Sequence, residues 1–179
     1  MSDLLLEIYG EELPSYSQVL IENQLSNLFN EFFKESAIKF GYIKTFSTSR
    51  RVLILIQSVS KFTSEKPKEL RGPQTDADKR AINGFLKSNN IISVNELQKK
   101  EIKGKFYFIL NKKIKPKLVR NLLKQKVPEI LNSIKWIKSM RWSNNNQRWI
   151  RPIRNIMCLL DNKIIKFEFA GVKSNNFTY

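Results

Sequence analysis

Residues Lys138 to Arg154 read KSMRWSNNNQRWIRPIR, and the apolar run IMCLL at 156–160 follows shortly after them. The polar middle of this stretch, Ser143 to Gln147, is dominated by asparagine and predicts a turn or loop. Beyond Pro152, the apolar residues from Ile153 to Leu160 predict a buried strand. The sequence therefore predicts a basic, aromatic loop that leads directly into a central strand, and we expect the other elements to pack around that strand.

The same stretch interleaves cationic and aromatic side chains: Lys138, Arg141, Trp142, Arg148, Trp149, Arg151 and Arg154. An arginine on a rigid base binds phosphates or carboxylates well, because its planar fork bonds them bidentately. We therefore take Lys138 and the arginines, with Trp142, as candidate contacts to a polyanion or a partner protein. The alternative is that both tryptophans belong to the core, and that the arginines are solvated or paired within the protein.

The composition is that of a globular protein, with 179 residues, 41% hydrophobic and 27% charged. This length suffices for one large or two small domains. The longest apolar runs have five residues, as in Val52 to Ile56, and are too short to cross a bilayer. No basic region precedes the first apolar residues as in a signal peptide. The single cysteine, Cys158, is predicted to be a buried small hydrophobe in a reducing compartment. The expected location is the cytoplasm.

The formal charge of +16 is distributed unevenly. Residues 1–60 carry 5 Lys and Arg against 7 Asp and Glu, whereas residues 61–179 carry 27 against 9. Such a basic segment favours polyanions, nucleic acid first. The competing explanation is compositional drift, since the chain is rich in Lys, Asn and Ile together and its lysines would then lie on a solvated face.

The first 65 residues predict a strand, a helix and two further strands. Leu4 to Ile8 predicts the first strand, and Tyr9 to Pro14 predicts a turn into a helix that extends to Ser36. The remaining predicted elements of this part are a strand over Tyr42–Phe46, a turn over Thr48–Arg51 and a buried strand over Val52–Ile56. Arg50 and Arg51 then lie at the mouth of a central strand, where they bind an anion or pair with Glu11 or Glu12.

The remaining residues predict a second set of elements. These are a linker over Ser60–Pro73, a helix from Asp76 capped by Thr75, a short helix near Ser93, a strand over Phe106–Leu110, a helix from Pro116 with a kink or restart at Pro128, and a hairpin turning at Asp161–Asn162.

We predict an α+β fold of two small lobes, each a mostly antiparallel or mixed sheet packed by amphipathic helices. The lobes are residues 1–65 and a basic lobe at 66–179. The polar run after Gly171 closes no element, so the chain is expected to be the front of a longer protein, truncated at its C-terminal end.

The chain lacks the residues of the common catalytic centres. It has no histidine, one cysteine and no phosphate loop among its six glycines, and the carboxylates of its basic half show no paired arrangement such as glycosidases use. We therefore predict no catalytic, cofactor-binding or metal-binding residue here. The chain either binds a partner or is part of a larger enzyme whose chemistry lies elsewhere.

Seven motifs together resemble the N-terminal part of the beta subunit of the bacterial two-subunit glycyl-tRNA synthetase. In chain order they are LLLEI at 4–8 with EELP at 11–14, TSRR at 48–51, RGP at 71–73, NGF at 83–85, KSMRW at 138–142, RWIRP at 148–152 and FAGVKSN at 169–175. Two departures are visible: Tyr9-Gly10 stands where the family has Gly-Thr, and Trp136 stands where the family usually has proline. The family also continues with Gly-His-Arg just past this sequence.

The resemblance implies a function that composition alone does not give. Such enzymes use ATP, and with it magnesium, to join glycine to its tRNA as a heterotetramer of two alpha and two beta subunits. The alpha subunit carries the aminoacylation site, and the beta subunit contributes tRNA binding. The chain would then be a non-catalytic segment that contacts the alpha subunit, the tRNA or both, through Arg50, Arg51, Lys138, Arg141, Trp142, Arg148, Arg151 and Arg154. The alternatives are a stand-alone basic RNA-binding module and a purely structural interface piece.

Overall fold

A computed structural model describes residues 1–65, 67–102, 104–113, 115–142 and 146–179. Its elements are, in chain order, β1 (Ser2–Gly10), α1 (Ser15–Glu35), β2 (Ile43–Ser47), β3 (Arg51–Val59), β4 (Pro67–Gln74), α2 (Lys79–Asn89), a 3-10 turn (Val94–Glu96), β5 (Gln98–Ile102), β6 (Lys105–Lys113), α3 (Val119–Ser133), β7 (Ile153–Leu160), β8 (Lys163–Ile164), β9 (Glu168–Phe169) and β10 (Val172–Asn175). A seven-stranded mixed sheet and a three-stranded antiparallel sheet, each with helices, confirm the predicted α+β class.

Two compact units divide the chain differently from the predicted lobes. One unit combines Met1–Ser64 with Pro116–Tyr179, and the other is Glu65–Lys115. The predicted division placed everything after residue 65 in one lobe. The segment from Pro116 onward instead belongs with the first 64 residues, because β7 is hydrogen-bonded to β1 along their shared length.

The large sheet belongs to the first unit and has the strand order β2-β3-β1-β7-β10-β9, with β8 paired to β7. β1 is antiparallel to both of its neighbours, β3 and β7, while β10 runs parallel to β7. The predicted hairpin is confirmed, since Leu159 and Leu160 pair with Ile164 and Lys163 around the turn. The C-terminal end of β1 therefore lies between the N-terminal ends of β3 and β7.

One face of this sheet forms the main core. Leu4, Leu6 and Ile8 alternate along β1 and are buried in the same cluster as residues of α1 and α3. The predicted apolar face of α1 is confirmed by the burial of Ile21, Leu25, Phe29 and Phe32, with Phe33 added and Leu28 half-buried. Burying each large apolar side chain of this kind contributes about 1.5–3 kcal/mol relative to leaving it exposed.

The second unit has the strand order β4-β6-β5 and its own small core. Leu86 of α2, Leu97 and Phe108 of β6 form that core. Two strands here differ from the prediction. β4, Pro67–Gln74, falls except for its last residue within the predicted linker at Ser60–Pro73, and Gln98–Ile102, for which no element was predicted, form β5. Both strands carry too few apolar residues to produce an alternating pattern, and their backbone pairing with β6 holds them in the sheet.

The helix boundaries also differ from the predicted ones. α2 begins at Lys79, because the Asp78 carboxylate accepts the backbone N–H of Arg80 at 3.2 Å and caps the helix there, later than predicted. α3 begins at Val119 and continues without interruption through Pro128. Among the described residues, no helix combines the length and apolarity needed to span a membrane.

Candidate functional site

Three segments of the first unit meet at one edge of the large sheet. They are the end of β1 with the turn after it, the β2–β3 turn and the residues that lead into β7. The backbone joins them directly: the N–H of Gly10 donates to the Arg50 carbonyl at 3.0 Å, and that of Glu11 donates to the Pro152 carbonyl at 3.1 Å. The antiparallel arrangement around β1 therefore gathers Glu11, Arg50, Arg151 and Arg154, which we call the strand-end cluster.

Gly10 permits the close approach on which this cluster depends. A Cβ atom at this position would lie 2.7 Å from the carbonyl oxygen of Pro152, closer than side chains tolerate. The glycine is therefore required by the neighbouring backbone, at the position where the sequence departs from the pattern of the family it resembles. No feature of the sequence indicates this contact, because Pro152 is far away along the chain.

Glu11 connects two of the predicted arginines. Its carboxylate accepts Nη2 of Arg50 at 3.4 Å and Nε of Arg154 at 2.6 Å, with a second contact to Nη2 of Arg154. Arg50 also donates to the carbonyl of Gly10 at 3.4 Å. The side chains are 35–60% exposed, so each pair contributes at most about 1 kcal/mol. Their main consequence is positional, since one carboxylate fixes two guanidinium groups.

Arg51 has a different partner from Arg50. Its Nε lies 3.7 Å from Glu7 Oε2, and its guanidinium lies over the Tyr9 ring at 4.8 Å. Of the alternatives that the sequence left open, pairing with Glu11 is realised by Arg50, whereas Arg51 pairs with Glu7. The sequence did not single out Glu7, whose burial on the sheet face opposite the core results from these contacts and from the hydroxyl of Thr178.

A wide, open concavity of about 590 Å³ borders the strand-end cluster. It is lined by Glu11, Glu12, Leu13, Pro14, Arg50 and Arg151. The Glu12 side chain is exposed and Leu13 is buried, so the wall presents charges of both signs above an apolar floor. Such a surface suits a polar, charged partner better than an apolar ligand.

The loop between Trp142 and Trp149 is closed at its base by a pair of backbone hydrogen bonds. Met140 and Trp149 exchange N–H···O bonds of 2.9 and 3.2 Å. Trp149 is 2% exposed and packs edge-to-face between Trp136, at 4.9 Å, and Phe169, at 5.6 Å. Trp149 therefore belongs to the core, and Trp142 is partly buried against it. Part of the predicted loop, residues 143–145, lies outside the described residues.

Four cations of this stretch lack a protein partner in the described part of the chain. Lys138, Arg141, Arg148 and Arg151 make no ion pair and no side-chain hydrogen bond with any described residue. The first three are exposed, and Arg151 is half-buried. We call these four the unpaired cations. Arg141 and Arg148 adjoin Met140 and Trp149, so the backbone bridge holds them at the base of the same loop.

Helix α3 and the residues before it carry a second group of cations, and this group is partly neutralised. Arg120 donates to the carbonyl of Ile164 at 3.0 Å, and Lys126 pairs with Glu129 at 2.5 Å. Lys117 and Lys124 are exposed. This helix therefore presents fewer free cations than its sequence indicates.

Cys158 and the carboxylates offer no metal site in the described residues. No group of three metal-binding side chains occurs among them. Cys158 lies on the core face of β7, and burial raises the pKa of its thiol to about 12. A thiol with this pKa remains protonated at neutral pH and is unsuited to act as a nucleophile.

Asn155 is a second polar residue that sequence reasoning missed. It lies on β7 beside Tyr9 and is 3% exposed. Its Nδ2 donates to the carbonyl of Phe177 at 2.8 Å, and its Oδ1 accepts Nδ2 of Asn175 at 2.6 Å. A lone asparagine within the apolar run of β7 was the available signal, because a buried amide must be hydrogen-bonded.

Comparison with known proteins agrees with the resemblance seen in the motifs. The family described as "Glycyl-tRNA synthetase beta subunit" matches residues 4–179. Similar curated proteins include the "Glycine--tRNA ligase beta subunit" of Rickettsia bellii (strain OSU 85-389), 37% identical over 179 residues, and those of Rickettsia felis (strain ATCC VR-1525 / URRWXCal2), 35%, and Rickettsia canadensis (strain McKiel), 36%. Each alignment covers 100% of this chain but only 26–27% of the relative's length. The family match, which takes in almost every residue of this sequence, shows that the chain belongs to the glycyl-tRNA synthetase beta subunit family.

Proposed function

We propose that the chain is the N-terminal part of a glycyl-tRNA synthetase beta subunit, and that its unpaired cations contact tRNA phosphates. In this role the chain supports the ATP-dependent attachment of glycine to its tRNA in the cytoplasm. It carries no catalytic residue itself. ATP and Mg²⁺ act at the alpha subunit, in an assembly of two alpha and two beta subunits, and the chain also serves as a scaffold for that subunit.

The observation that carries the tRNA contact is the division of the predicted cations into two groups. Arg50, Arg51 and Arg154 have carboxylate partners within the protein, whereas the unpaired cations have none in the described residues. A guanidinium already paired with a carboxylate gains less from a phosphate, because binding must first break or share the existing pair. The unpaired cations are free to release counterions from a polyanion.

The position of the unpaired cations also supports the proposal. Trp149 is buried and bridged to Met140, so the arginines next to them project from a rigid base. An ordered base lowers the conformational entropy lost when the side chain binds a phosphate. Because the contacts are to phosphate rather than to bases, this surface contributes affinity and orientation but little sequence selectivity.

The salt dependence of tRNA binding tests this proposal. In a beta subunit carrying this segment, Arg148→Ala or Arg151→Ala should weaken tRNA binding and lower the slope of log K against log salt by about one unit. Arg154→Ala is the matched control: it removes the same charge from the same stretch, but from a guanidinium already paired with Glu11. Its effect on the slope should be smaller.

Two outcomes would contradict the proposal, the first its tRNA contact and the second its division of the cations. If the slope is unchanged in both variants, the unpaired cations do not contact phosphate. If all three substitutions change the slope equally, pairing does not decide which arginines bind. Co-elution of the alpha subunit with the same variants on size-exclusion chromatography tests the scaffold role separately.

A further inference from the structure

The second face of the large sheet carries apolar side chains at its centre, and neither helix of the first unit covers it. Helices α1 and α3 share a core with the opposite face, to which Leu4, Leu6 and Ile8 belong. The intervening side chains of each strand therefore point away from that core. Met157 shows this directly, because it is buried yet lies outside the core cluster.

Strand register arranges these side chains in two rows. Leu55, Leu5 and Leu159 stand opposite one another on β3, β1 and β7 and form the first row, which ends at the charged Lys44 on the edge strand β2. The second row consists of Phe46, Leu53, Glu7 and Met157. Members of one row lie about 4.8 Å apart across the strands, and the two rows lie about 6.6 Å apart along them, so their side chains form one continuous surface, the apolar rows. Phe46 at its edge is 53% exposed, and contiguous apolar surface of this kind marks an interaction site.

The last residues of the sequence already lie on this face. Phe177 is held by Asn155 of β7, Thr178 contacts Glu7 of β1, and the backbone oxygen of Tyr179 accepts from Arg51 of β3. The Tyr179 ring also stacks on Tyr9 at 5.6 Å. Residues 177–179 therefore cross β7, β1 and β3 in that order, immediately beside the apolar rows.

We propose that the apolar rows are the docking surface for the segment of the same subunit that follows Tyr179 in a chain of the relatives' length. This inference rests on the proposed function, because it takes the chain to be the front part of a longer beta subunit. The relatives are nearly four times as long as this chain, which covers 27% of their length. The path of residues 177–179 directs such a segment over β3, where Leu53 lies two residues beyond Arg51.

Covalent attachment favours this occupant over a separate protein. A segment anchored beside the apolar rows has a high effective concentration there, so that even a modest apolar contact is sufficient to hold it. The complementary segment is an apolar strand or an amphipathic helix, whose side chains would bury Leu5, Leu53, Leu55 and Leu159. Glu7, within the second row, is already satisfied by Arg51 and Thr178 and does not oppose an apolar cover.

Hydroxyl-radical footprinting of the unmodified full-length beta subunit tests the proposal, with and without the alpha subunit. The oxidation of Phe46, 53% exposed here, is compared with that of Phe106, 54% exposed, and of Phe62, 48% exposed. These three side chains share intrinsic reactivity and exposure in this structure. If the following segment covers the apolar rows, Phe46 should be oxidised several-fold more slowly than both reference residues in the beta subunit alone.

Two results would overturn the proposal. Phe46 oxidised as fast as the reference residues in both samples would mean that the face is open to solvent. Phe46 protected only after addition of the alpha subunit would mean that the alpha subunit, and not the same chain, is the occupant. Neither result depends on tRNA, so failure here is distinguishable from failure of the proposed tRNA contact.

Cysteine labelling provides a second measurement at the centre of the surface. In the full-length beta subunit, Leu55→Cys should react with a maleimide at least about tenfold more slowly than Asn30→Cys, which lies on α1 and is half-buried here as Leu55 is. Native Cys158 is fully buried and contributes little background from this segment. Equal labelling rates for the two variants in the beta subunit alone would contradict the proposal.

Discussion

Gly10 is the residue at which the geometry of the strand-end cluster is most sensitive to a single methyl group. We predict that Gly10→Ala destabilises the protein by about 1–3 kcal/mol, because the new Cβ would force Pro152 and the start of β7 away from β1. Thermal unfolding of the variant would show the loss. The movement would also weaken the hydrogen bond from Glu11 to Pro152, and with it the approach of Arg151 and Arg154 to the cluster.

Gly84 provides the matched control for that substitution. It lies within α2, and a Cβ at this position would meet no atom within 4 Å. Gly84→Ala should therefore raise stability by about 0.5–1 kcal/mol, since alanine restricts the unfolded chain and favours the helix. If Gly10→Ala and Gly84→Ala shifted the unfolding midpoint in the same direction, the close contact at Pro152 would not determine the effect.

The buried thiol of Cys158 lowers the free energy of unfolding as the pH rises into the alkaline range. Burial raises the pKa of its thiol from about 9 to about 12, so between these values the folded chain retains a proton that the unfolded chain releases. The contribution is fully present below pH 9 and is lost as the pH rises towards 12, by at most about 1.4 kcal/mol per pH unit. Urea unfolding from pH 8 to 10.5 should show a shallower loss of stability in Cys158→Ala than in the unsubstituted protein. Parallel curves for the two proteins would contradict this assignment.

At the scale of elements, α3 is a helix that continues through a proline. The ring of Pro128 removes the hydrogen bond to the carbonyl of Lys124 and costs up to about 3 kcal/mol within a helix. We predict that Pro128→Ala raises the midpoint of thermal unfolding, with the gain reduced by the greater freedom of the unfolded chain. Leu123→Ala on the same helix is the opposite control, since it empties a fully buried position and should cost about 2–5 kcal/mol. An unchanged midpoint in Pro128→Ala would mean that the helix is not strained there.

Elements with apolar alternation or helical periodicity were predictable, and elements held by backbone pairing alone were not. The strands β1, β3 and β7 and the buried face of α1 follow from local apolar patterns. By contrast, β4 and β5 have polar sequences without an apolar pattern. They are strands because their backbones are hydrogen-bonded to β6, which no local pattern in β4 or β5 indicates. The site follows the same rule. The pairing of Arg50 with Glu11 was one of the foreseen alternatives, whereas the contact of Arg51 with Glu7 depends on cross-strand register that no local pattern encodes.

At the scale of the whole molecule, the excess of positive charge divides into cations with and without carboxylate partners. Glu11 pairs with Arg50 and Arg154 in the strand-end cluster, and Glu129 pairs with Lys126 on α3. Glu11→Gln and Glu129→Gln therefore change the net charge by the same amount but release cations on different surfaces. The comparison separates a contact made by one surface from a general attraction between a basic protein and a polyanion.

We predict that Glu11→Gln strengthens tRNA binding at low salt and steepens its salt dependence by about one to two units, because it releases two guanidinium groups next to Arg151. Glu129→Gln should change the slope by much less if tRNA lies on the strand-end cluster. Binding isotherms at several salt concentrations, with the full-length beta subunit and its tRNA, provide the measurement. Equal changes in the two variants would show that tRNA responds to the overall field of the protein, and a larger change in Glu129→Gln would place the contact on α3. Glu11→Gln is expected to strengthen tRNA binding, whereas Arg148→Ala is expected to weaken it. A variant that failed to fold would lose binding in either case, so misfolding cannot produce both results.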